Sequence, residues 1–234
     1  MASLFAFGNA TPAGPTTNAN YVFVLGRQHP PEVIGSIGLM SFVDTLARNT
    51  SLARSYRQRF QTIILPLLNP DGIEHGHWRS NLGAVDLNRD WGPFSQPETV
   101  AARDALMSLA AQPGARPFLF LDFHATHTNV FYEQASSQPS SSEGFTDRWL
   151  DAIQRQCQDF HFLRDTTNNA GLPTSKSWAE ATFHIPGITC EFGYGTDPEL
   201  VRRVARVEAE EMMRLLLKVI PSRRDTTITQ PPPP

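Results

Sequence analysis

The sequence predicts a single α/β domain built on a mixed, mostly parallel twisted sheet that is flanked by helices. Its 234 residues are 40% hydrophobic, enough to bury one sizeable core. The length permits one or two domains, and we favour one. Several short, continuous apolar runs, typical of strands buried on both faces, alternate with stretches whose apolar residues recur at helical spacing. Such alternation is typical of α/β domains.

The composition indicates which kinds of partner the protein is suited to bind. The formal net charge of −3 and the pI of about 6.2 give no sign of a nucleic-acid-binding surface, and no basic run indicates a membrane patch. Small or peptidic partners fit this surface better. Two cysteines, Cys157 and Cys190, are too few for a disulfide framework, and they leave both a single bridge and the redox compartment open. No apolar run reaches the roughly 18 to 20 residues that a transmembrane helix needs.

Three segments are predicted along the chain: an irregular N-terminal segment (1–20), a folded domain (21–220) and a disordered proline-rich tail (221–234). The N-terminus has a short apolar patch but no basic start, so it is a poor signal peptide. We therefore favour a cytoplasmic location, with export left open if the N-terminus is clipped. The oligomeric state is left open too.

The first strand is predicted at residues 21–25 (YVFVL), and a helix follows over VIGSIGLMSFVDTLA, with Pro31 suited to its first turn. His29 then lies on the loop that leaves the strand, and Glu32 lies at the helix start, where a carboxylate is favourable. An imidazole and a carboxylate so placed form half of a zinc site, although an isolated His-x-x-Glu is a weak signal.

The second strand, residues 61–68 (QTIILPLL), leads into the sequence Asn-Pro-Asp-Gly at 69–72, which has the chemistry of a type I turn. Beyond it come a lone Arg79 and the run DLNR at 86–89, both too polar for a core. A guanidinium and an amide can both donate to a carboxylate, so this stretch is suited to binding one. A helix is predicted from residue 97 to about residue 111.

The same patterns predict the rest of the chain: strands at 118–121 and 128–132, a serine-rich loop at 134–142, a helix at 143–158, a short strand at 160–163, a polar loop at 165–176, a last strand at 187–192 and a last helix at 198–219. Two of these strands carry residues of interest. His124 stands at the exit of one, and Glu191 stands among apolar residues in the last. A buried carboxylate is costly unless it is paired or working.

Together, the NPDG sequence, Arg79 and the Asn88-Arg89 pair resemble the zinc carboxypeptidase family. Two pairs of motifs, LNPDG with DLNR and DFH with NVFY, are most similar to those of the cytosolic carboxypeptidase-like branch of this family. The resemblance covers roughly residues 21–219. It implies a carboxypeptidase-like fold and one zinc ion held by His29, Glu32 and His124.

The resemblance also implies roles for other residues. Glu191 would act as general base and then general acid for a zinc-activated water, and Arg79 would stabilise the oxyanion. Asn88 and Arg89 would hold the terminal carboxylate of the substrate. Asp86 would orient the first zinc histidine. The implied function is a zinc-dependent metallocarboxypeptidase that hydrolyses the C-terminal peptide bond of peptides or proteins.

Substrate preference depends on Lys176, which stands where the family has the base of its side-chain pocket. A lysine there would favour an acidic terminal residue; the alternative is a solvated loop lysine. Two features depart from the family. No tyrosine lies between Phe160 and Glu191 to cap the substrate, and only 28 residues precede His29, which indicates a fragment or a compact variant lacking edge strands.

Other metal pairs and other functions compete with this interpretation. His75 with His77, or His124 with His127, could form a metal pair, and we rank both lower. A zinc deacylase of the aspartoacylase or succinylglutamate desuccinylase type and a bacterial cell-wall peptide hydrolase would use a similar site. A catalytically dead peptide-binding module ranks lowest, because no expected zinc ligand and no catalytic glutamate is missing.

Overall fold

Seven strands form one sheet in the computed structural model, which describes residues 5–7, 19–133, 144–167, 169 and 171–220. In chain order the strands are β1 (Phe5–Phe7), β2 (Asn20–Gly26), β3 (Phe60–Leu65), β4 (Arg116–Thr126), β5 (Val130–Tyr132), β6 (Leu163–Asp165) and β7 (Gly187–Gly193). The α-helices are α1 (Val33–Ala47), α2 (Ser51–Arg57), α3 (Pro70–Glu74), α4 (Pro97–Ala110), α5 (Phe145–Gln156), α6 (Ser175–Phe183) and α7 (Pro198–Val219). No helix in these ranges is long and apolar enough to cross a membrane.

The order of the strands across the sheet is β1-β3-β2-β4-β7-β5-β6. The four central strands β3, β2, β4 and β7 run parallel, whereas β1 and β5 are antiparallel to their central neighbours. The predicted mixed, mostly parallel sheet is therefore confirmed. Since the chain passes from β2 to β3 on one side and later to β4 on the other, the strand order reverses between β2 and β4. In open α/β sheets, ligands bind at such a point, outside the carboxyl ends of the strands.

Alternating side chains of the central strands divide the core into two layers. Val22 and Val24 of β2 belong to the cluster that packs against α1, α2, α5 and α7. Tyr21, Phe23 and Leu25 face the other layer, with Trp91 and apolar residues of α4 and α6. Because both faces are covered by helices or loops, the strands read as continuous apolar runs rather than alternating ones.

Several predicted elements differ from the structure. The N-terminal segment is not irregular throughout, because β1 pairs with the free edge of β3. The predicted turn at Asn69 is instead the start of α3: the Asn69 side chain accepts a hydrogen bond from the Gly72 amide at 3.0 Å, and Pro70 occupies the first turn. The strand predicted at 160–163 begins only at Leu163.

Helices α2 and α6 were missed. The N-cap of α6 is Thr174, which accepts from the Ser177 amide, so the end of the predicted polar loop at 165–176 is helical. The predicted serine-rich loop at 134–142 and the predicted tail at 221–234 both lie outside the described residues.

Candidate metal centre and active site

The loop that leaves β2 is fixed by Arg27, whose backbone adopts a left-handed conformation with φ of 57°. Its guanidinium donates to the carbonyl oxygen of Pro30 at 2.8 Å and to the hydroxyl of Ser36 at 2.9 Å. These bonds tie the two-proline segment to α1. They hold His29 and Glu32 at the carboxyl end of β2.

Three side chains converge at this end of the sheet. Nδ1 of His29 lies 2.7 Å from one oxygen of Glu32, and Nδ1 of His124 lies 2.8 Å from the other oxygen. All three side chains are buried, and their candidate ligand atoms lie within 4.8 Å of one another. No other group of at least three His, Cys, Asp or Glu residues in the described ranges meets the same criterion.

The far nitrogen of each imidazole is held by a carboxylate. Nε2 of His29 lies 2.9 Å from Asp86, and Nε2 of His124 lies 2.9 Å from Asp122. A carboxylate on one ring nitrogen fixes the orientation of the ring and leaves the other nitrogen to bind a metal. Both Nδ1 atoms are therefore directed at the same point.

The charged groups around this point favour the binding of a cation. Burial alone would raise the pKa of Glu32, but His124 and His29 lower it to about 2. Burial would lower the pKa of His124, but Asp122 and Glu32 raise it well above its usual value. Three carboxylates around two imidazoles thus stabilise positive charge between them. Two histidines and one glutamate with an open side are the donor set of catalytic zinc sites, so these residues fit a zinc ion.

Glu191 lies beside this centre on β7. It pairs directly with His124 of the neighbouring strand, so the two side chains point to the same face of the sheet. Burial, opposed by the nearby histidines, raises the pKa of Glu191 to about 7. Its Oε2 atom is buried and has no hydrogen-bond partner among the described residues. A carboxylate in this state can both accept and return a proton near neutral pH.

Arg79 and Asn88 both contact Asp86, and Arg89 follows Asn88 in the chain. The half-exposed Arg79 donates through Nε to Asp86 at 2.7 Å. Asn88 is buried: its side-chain oxygen accepts from the Ser175 amide at 3.0 Å, and its Nδ2 lies 3.5 Å from Nε2 of His124.

Arg89 is partly buried beside Asn88. It donates to the Asn88 carbonyl at 2.7 Å and to the Asn169 side chain at 3.0 Å. No carboxylate of the described residues pairs with Arg89, so the charge of its guanidinium is not balanced locally.

Lys176 is buried in the first turn of α6, and is not a solvated loop residue. Its Nζ lies 3.3 Å from the Glu133 carbonyl oxygen and 3.6 Å from Glu180. Burial, opposed by Lys176, raises the pKa of Glu180 to about 7. The amide of the preceding residue, Ser175, donates to Asn88, whose Nδ2 lies 3.5 Å from Nε2 of His124. The start of α6, which carries Lys176, is therefore close to the metal centre.

Four further residues of this site, Asp122, Gln28, Ser175 and Trp91, were not found by sequence reasoning. Asp122 is fully buried, and its Oδ2 accepts from Gln28 at 2.6 Å and from the Ser175 hydroxyl. Gln28 in turn accepts from the Trp91 indole at 2.8 Å. The signal for Asp122 was its place two residues before His124 on a buried strand, because alternate strand residues share a face.

The histidines of the competing metal pairs lie elsewhere. The rings of His75 and His77 are 6.1 Å apart, with Nδ1 of His75 on the Asp71 carbonyl of α3 and Nδ1 of His77 on the Ser80 carbonyl. His127 contacts the ring of Tyr194. None of the three belongs to the cluster around Glu32.

Comparison with known proteins identifies similar chains. A family model described as zinc carboxypeptidase matches residues 9–197. Cytosolic carboxypeptidase 6 of Mus musculus is 29% identical over 131 residues, which are 51% of this chain and 24% of that protein. Cytosolic carboxypeptidase 1 of Homo sapiens is 35% identical over 119 residues, 49% of this chain and 10% of that protein. The chain thus spans a quarter or less of the length of these two relatives.

Solved structures share the fold. A metallo-carboxypeptidase from Burkholderia cenocepacia has a TM-score of 0.77 at 20% identity, over 93% of this chain and 61% of that chain. Bovine thrombin-activatable fibrinolysis inhibitor has a TM-score of 0.68 at 14% identity, over 94% of this chain and 86% of that chain. At these identities the likeness is one of fold.

Proposed function

Because the chain belongs to the zinc carboxypeptidase family, we propose that it is a metallocarboxypeptidase that removes the last residue of peptides or proteins. The observation that carries this proposal is the convergence of His29, Glu32 and His124 on one point, with the free carboxylate oxygen of Glu191 beside it. One zinc ion, held by the two Nδ1 atoms and by Glu32, would polarise the scissile carbonyl and the attacking water as a Lewis acid.

Glu191 acts as the base in this proposal. Its carboxylate removes a proton from the attacking water and returns it to the leaving amine. Both transfers need a group whose pKa lies near the working pH, and the burial of Glu191 supports this role.

The groups around Asp86 orient the substrate. Arg79, fixed by Asp86, donates to the oxygen on which negative charge develops, where preorganised donors contribute most. Asn88 and Arg89 bind the terminal carboxylate. The Asn88 oxygen is engaged by Ser175, which leaves its amide hydrogens for the substrate, and Arg89 has a charge without a local partner. The requirement for a free C-terminus follows from these two residues.

We further propose that Lys176 selects an acidic terminal residue. Its only carboxylate neighbour among the described residues is Glu180, and the raised pKa of Glu180 weakens that competition at neutral pH. A hydrogen-bonded charge pair contributes about 1.5 to 3 kcal/mol, so Lys176→Met should reduce the preference for glutamate over leucine by roughly 10- to 100-fold. Release of glutamate and leucine at unchanged ratio would assign Lys176 to a structural pair with Glu180.

The test is release of C-terminal glutamate, arginine and leucine from blocked peptides. The expected result is release that stops with a chelator, returns with zinc, and is absent in Glu191→Gln although that variant still binds zinc. No release by zinc-loaded protein, combined with hydrolysis of an N-acylated amino acid, would move the assignment to a deacylase. The names of the curated relatives also favour a cytoplasmic location for this activity.

A further inference from the structure

The indole of Trp78 is 76% exposed, more than any other large apolar side chain in the described ranges. The other three tryptophans pack in the protein: Trp91 and Trp149 are buried, and Trp178 packs against Trp91 in a tilted arrangement with ring centroids 5.1 Å apart. Exposed tryptophan is unfavourable in water and is enriched where proteins bind partners. The exposure of Trp78 therefore needs an explanation.

A loose loop is not that explanation, because the segment around Trp78 is held on both sides. The amide of His77 donates to the Gly72 carbonyl at 2.8 Å, and its ring contacts the carbonyl of Asn81. Asn81 is buried, accepts from the Val85 amide at 3.1 Å and donates to side chains at the start of α4. The loop thus presents Trp78 to solvent in a fixed position.

Trp78 lies next to the candidate active site. It shares a shallow depression of about 600 Å³ with five other residues: His77, Arg79, Ser80, Ala84 and Asp86. Asp86 connects this depression to the metal centre, since one of its oxygens contacts His29 at 2.9 Å and the other accepts from Arg79 at 2.7 Å. The surface around Trp78 is therefore continuous with the site.

The direction of a bound peptide follows from the residues proposed to hold it. Asn88, Arg89 and Lys176 would hold its last residue, and Arg79 would hold the carbonyl of the bond to be cut. The part of the peptide upstream of that bond then extends beyond Arg79. Trp78 precedes Arg79 in the chain and lines the same depression, so it is placed to contact this part of the peptide.

We propose that Trp78 is a binding platform for the upstream residues of the substrate, so that the substrate is the extended tail of a polypeptide and not a dipeptide. This inference rests on the proposed function. An indole face packs on backbone and apolar groups with little sequence preference, and it loses little conformational entropy on binding. Trp78 contributes to affinity for longer chains, whereas the chemistry of the last peptide bond does not involve it.

The test compares Trp78→Ala with Leu82→Ala. Leu82 is 54% exposed on the same loop but does not line the depression. Each zinc-loaded variant is given a blocked dipeptide and a blocked hexapeptide that end in the same two residues. We expect Trp78→Ala to lower kcat/KM for the hexapeptide by about 10-fold through an increase in KM, and to leave kcat/KM for the dipeptide unchanged. The reason is that a buried aromatic anchor increases binding affinity by about 10- to 100-fold. Leu82→Ala should change neither.

An equal loss on both peptides, or none on either, would overturn the proposal. If no protein form cleaves either peptide, the proposed function fails, and a binding measurement still decides the role of Trp78. Two zinc-loaded proteins are compared, the Glu191→Gln variant and the double variant that also carries Trp78→Phe. The difference between their tryptophan fluorescence comes from Trp78 alone, and its quenching by acrylamide reports the exposure of this indole. Protection by the hexapeptide but not by the dipeptide supports the platform, and unchanged quenching at millimolar hexapeptide refutes it.

Discussion

The carboxyl of Glu208 is buried in the core without a partner, and this predicts an unusual dependence of stability on pH. Glu208 lies on α7, is 0% exposed, and neither of its carboxyl oxygens has a hydrogen bond from the described residues. Burial raises its pKa from 4.5 to about 8. Burial and the charge of Glu208 both contribute to the raised pKa of two thiols, those of Cys157 and Cys190, and neither thiol supplies a positive charge.

The sign of this pH dependence follows from the number of protons that the folded and unfolded states bind. Between these two pKa values the folded state binds about one more proton than the unfolded state, so the free energy of unfolding falls as pH rises. Stability from this group is fully present below the unfolded pKa and lost as pH rises through about 8. The slope is about 1.4 kcal/mol per pH unit, which gives up to about 4 kcal/mol from about pH 5 to about pH 8.

Glu208→Gln removes this titration. Urea unfolding of wild type and variant, both with chelator so that metal binding contributes nothing, gives the difference in unfolding free energy at each pH. We expect that difference to move in favour of the variant by about 1 kcal/mol or more for each pH unit between about 5 and 8. Glu210→Gln, on the more exposed side of α7, is the control and should show no such trend. A pH-independent difference for Glu208→Gln would show that the Glu208 carboxyl does not have a raised pKa in the folded protein.

Three further substitutions test the structure. Asp122→Ala should weaken zinc binding about 10- to 100-fold, measured by competition with a chelating dye, and Asp122→Asn should recover part of it; unchanged affinity would contradict the proposed orientation of His124. Gly35→Ala places a Cβ 2.5 Å from the His124 carbonyl oxygen, a backbone atom that cannot move away freely, and should lower the free energy of unfolding by about 1 to 3 kcal/mol. Gly195→Ala, which meets nothing within 4 Å, is its control, and equal effects of the two would be the contrary result. Asn69→Ala removes the cap of α3 together with the bonds from the Asn69 amide to the carbonyls of Gln28 and Ser80, and should lower the free energy of unfolding in urea by about 1 to 3 kcal/mol; no loss would show that these bonds contribute nothing.

The elements that sequence reasoning predicted well are those with local causes. The apolar runs of β2, β3, β4 and β7 could be read directly, because a strand covered on both faces has no polar side. The helix after His29 was predicted from Pro31 and Glu32, although Pro31 was expected in its first turn and α1 begins only at Val33, with Glu32 as its N-cap. The short helix α3 was mistaken for a turn, because Asn-Pro at 69 and 70 suits both a type I turn and a capped helix start.

What sequence alone could not give is the set of contacts between distant strands. Glu191 lies beside His124 because β4 and β7 are neighbours in the sheet, although 67 positions separate the two residues. Nothing local in either strand specifies that register. The roles of both came from resemblance to a family. The alternate positions of Asp122 and His124 on one strand indicated a shared face, whereas the contact of the Asp122 carboxylate with Nε2 of His124 is given by the structure.

Carboxypeptidase activity is tested by comparing one blocked peptide that has a free C-terminal carboxylate with the same peptide as its C-terminal amide. Mass spectrometry follows each one with the zinc-loaded protein and with its Glu191→Gln variant. The account predicts loss of a single residue from the free acid, at least about 100-fold slower loss from the amide because Arg89 and Asn88 lose their charged partner, and no loss with the variant. Equal cleavage of acid and amide, or cleavage that survives Glu191→Gln, would contradict it.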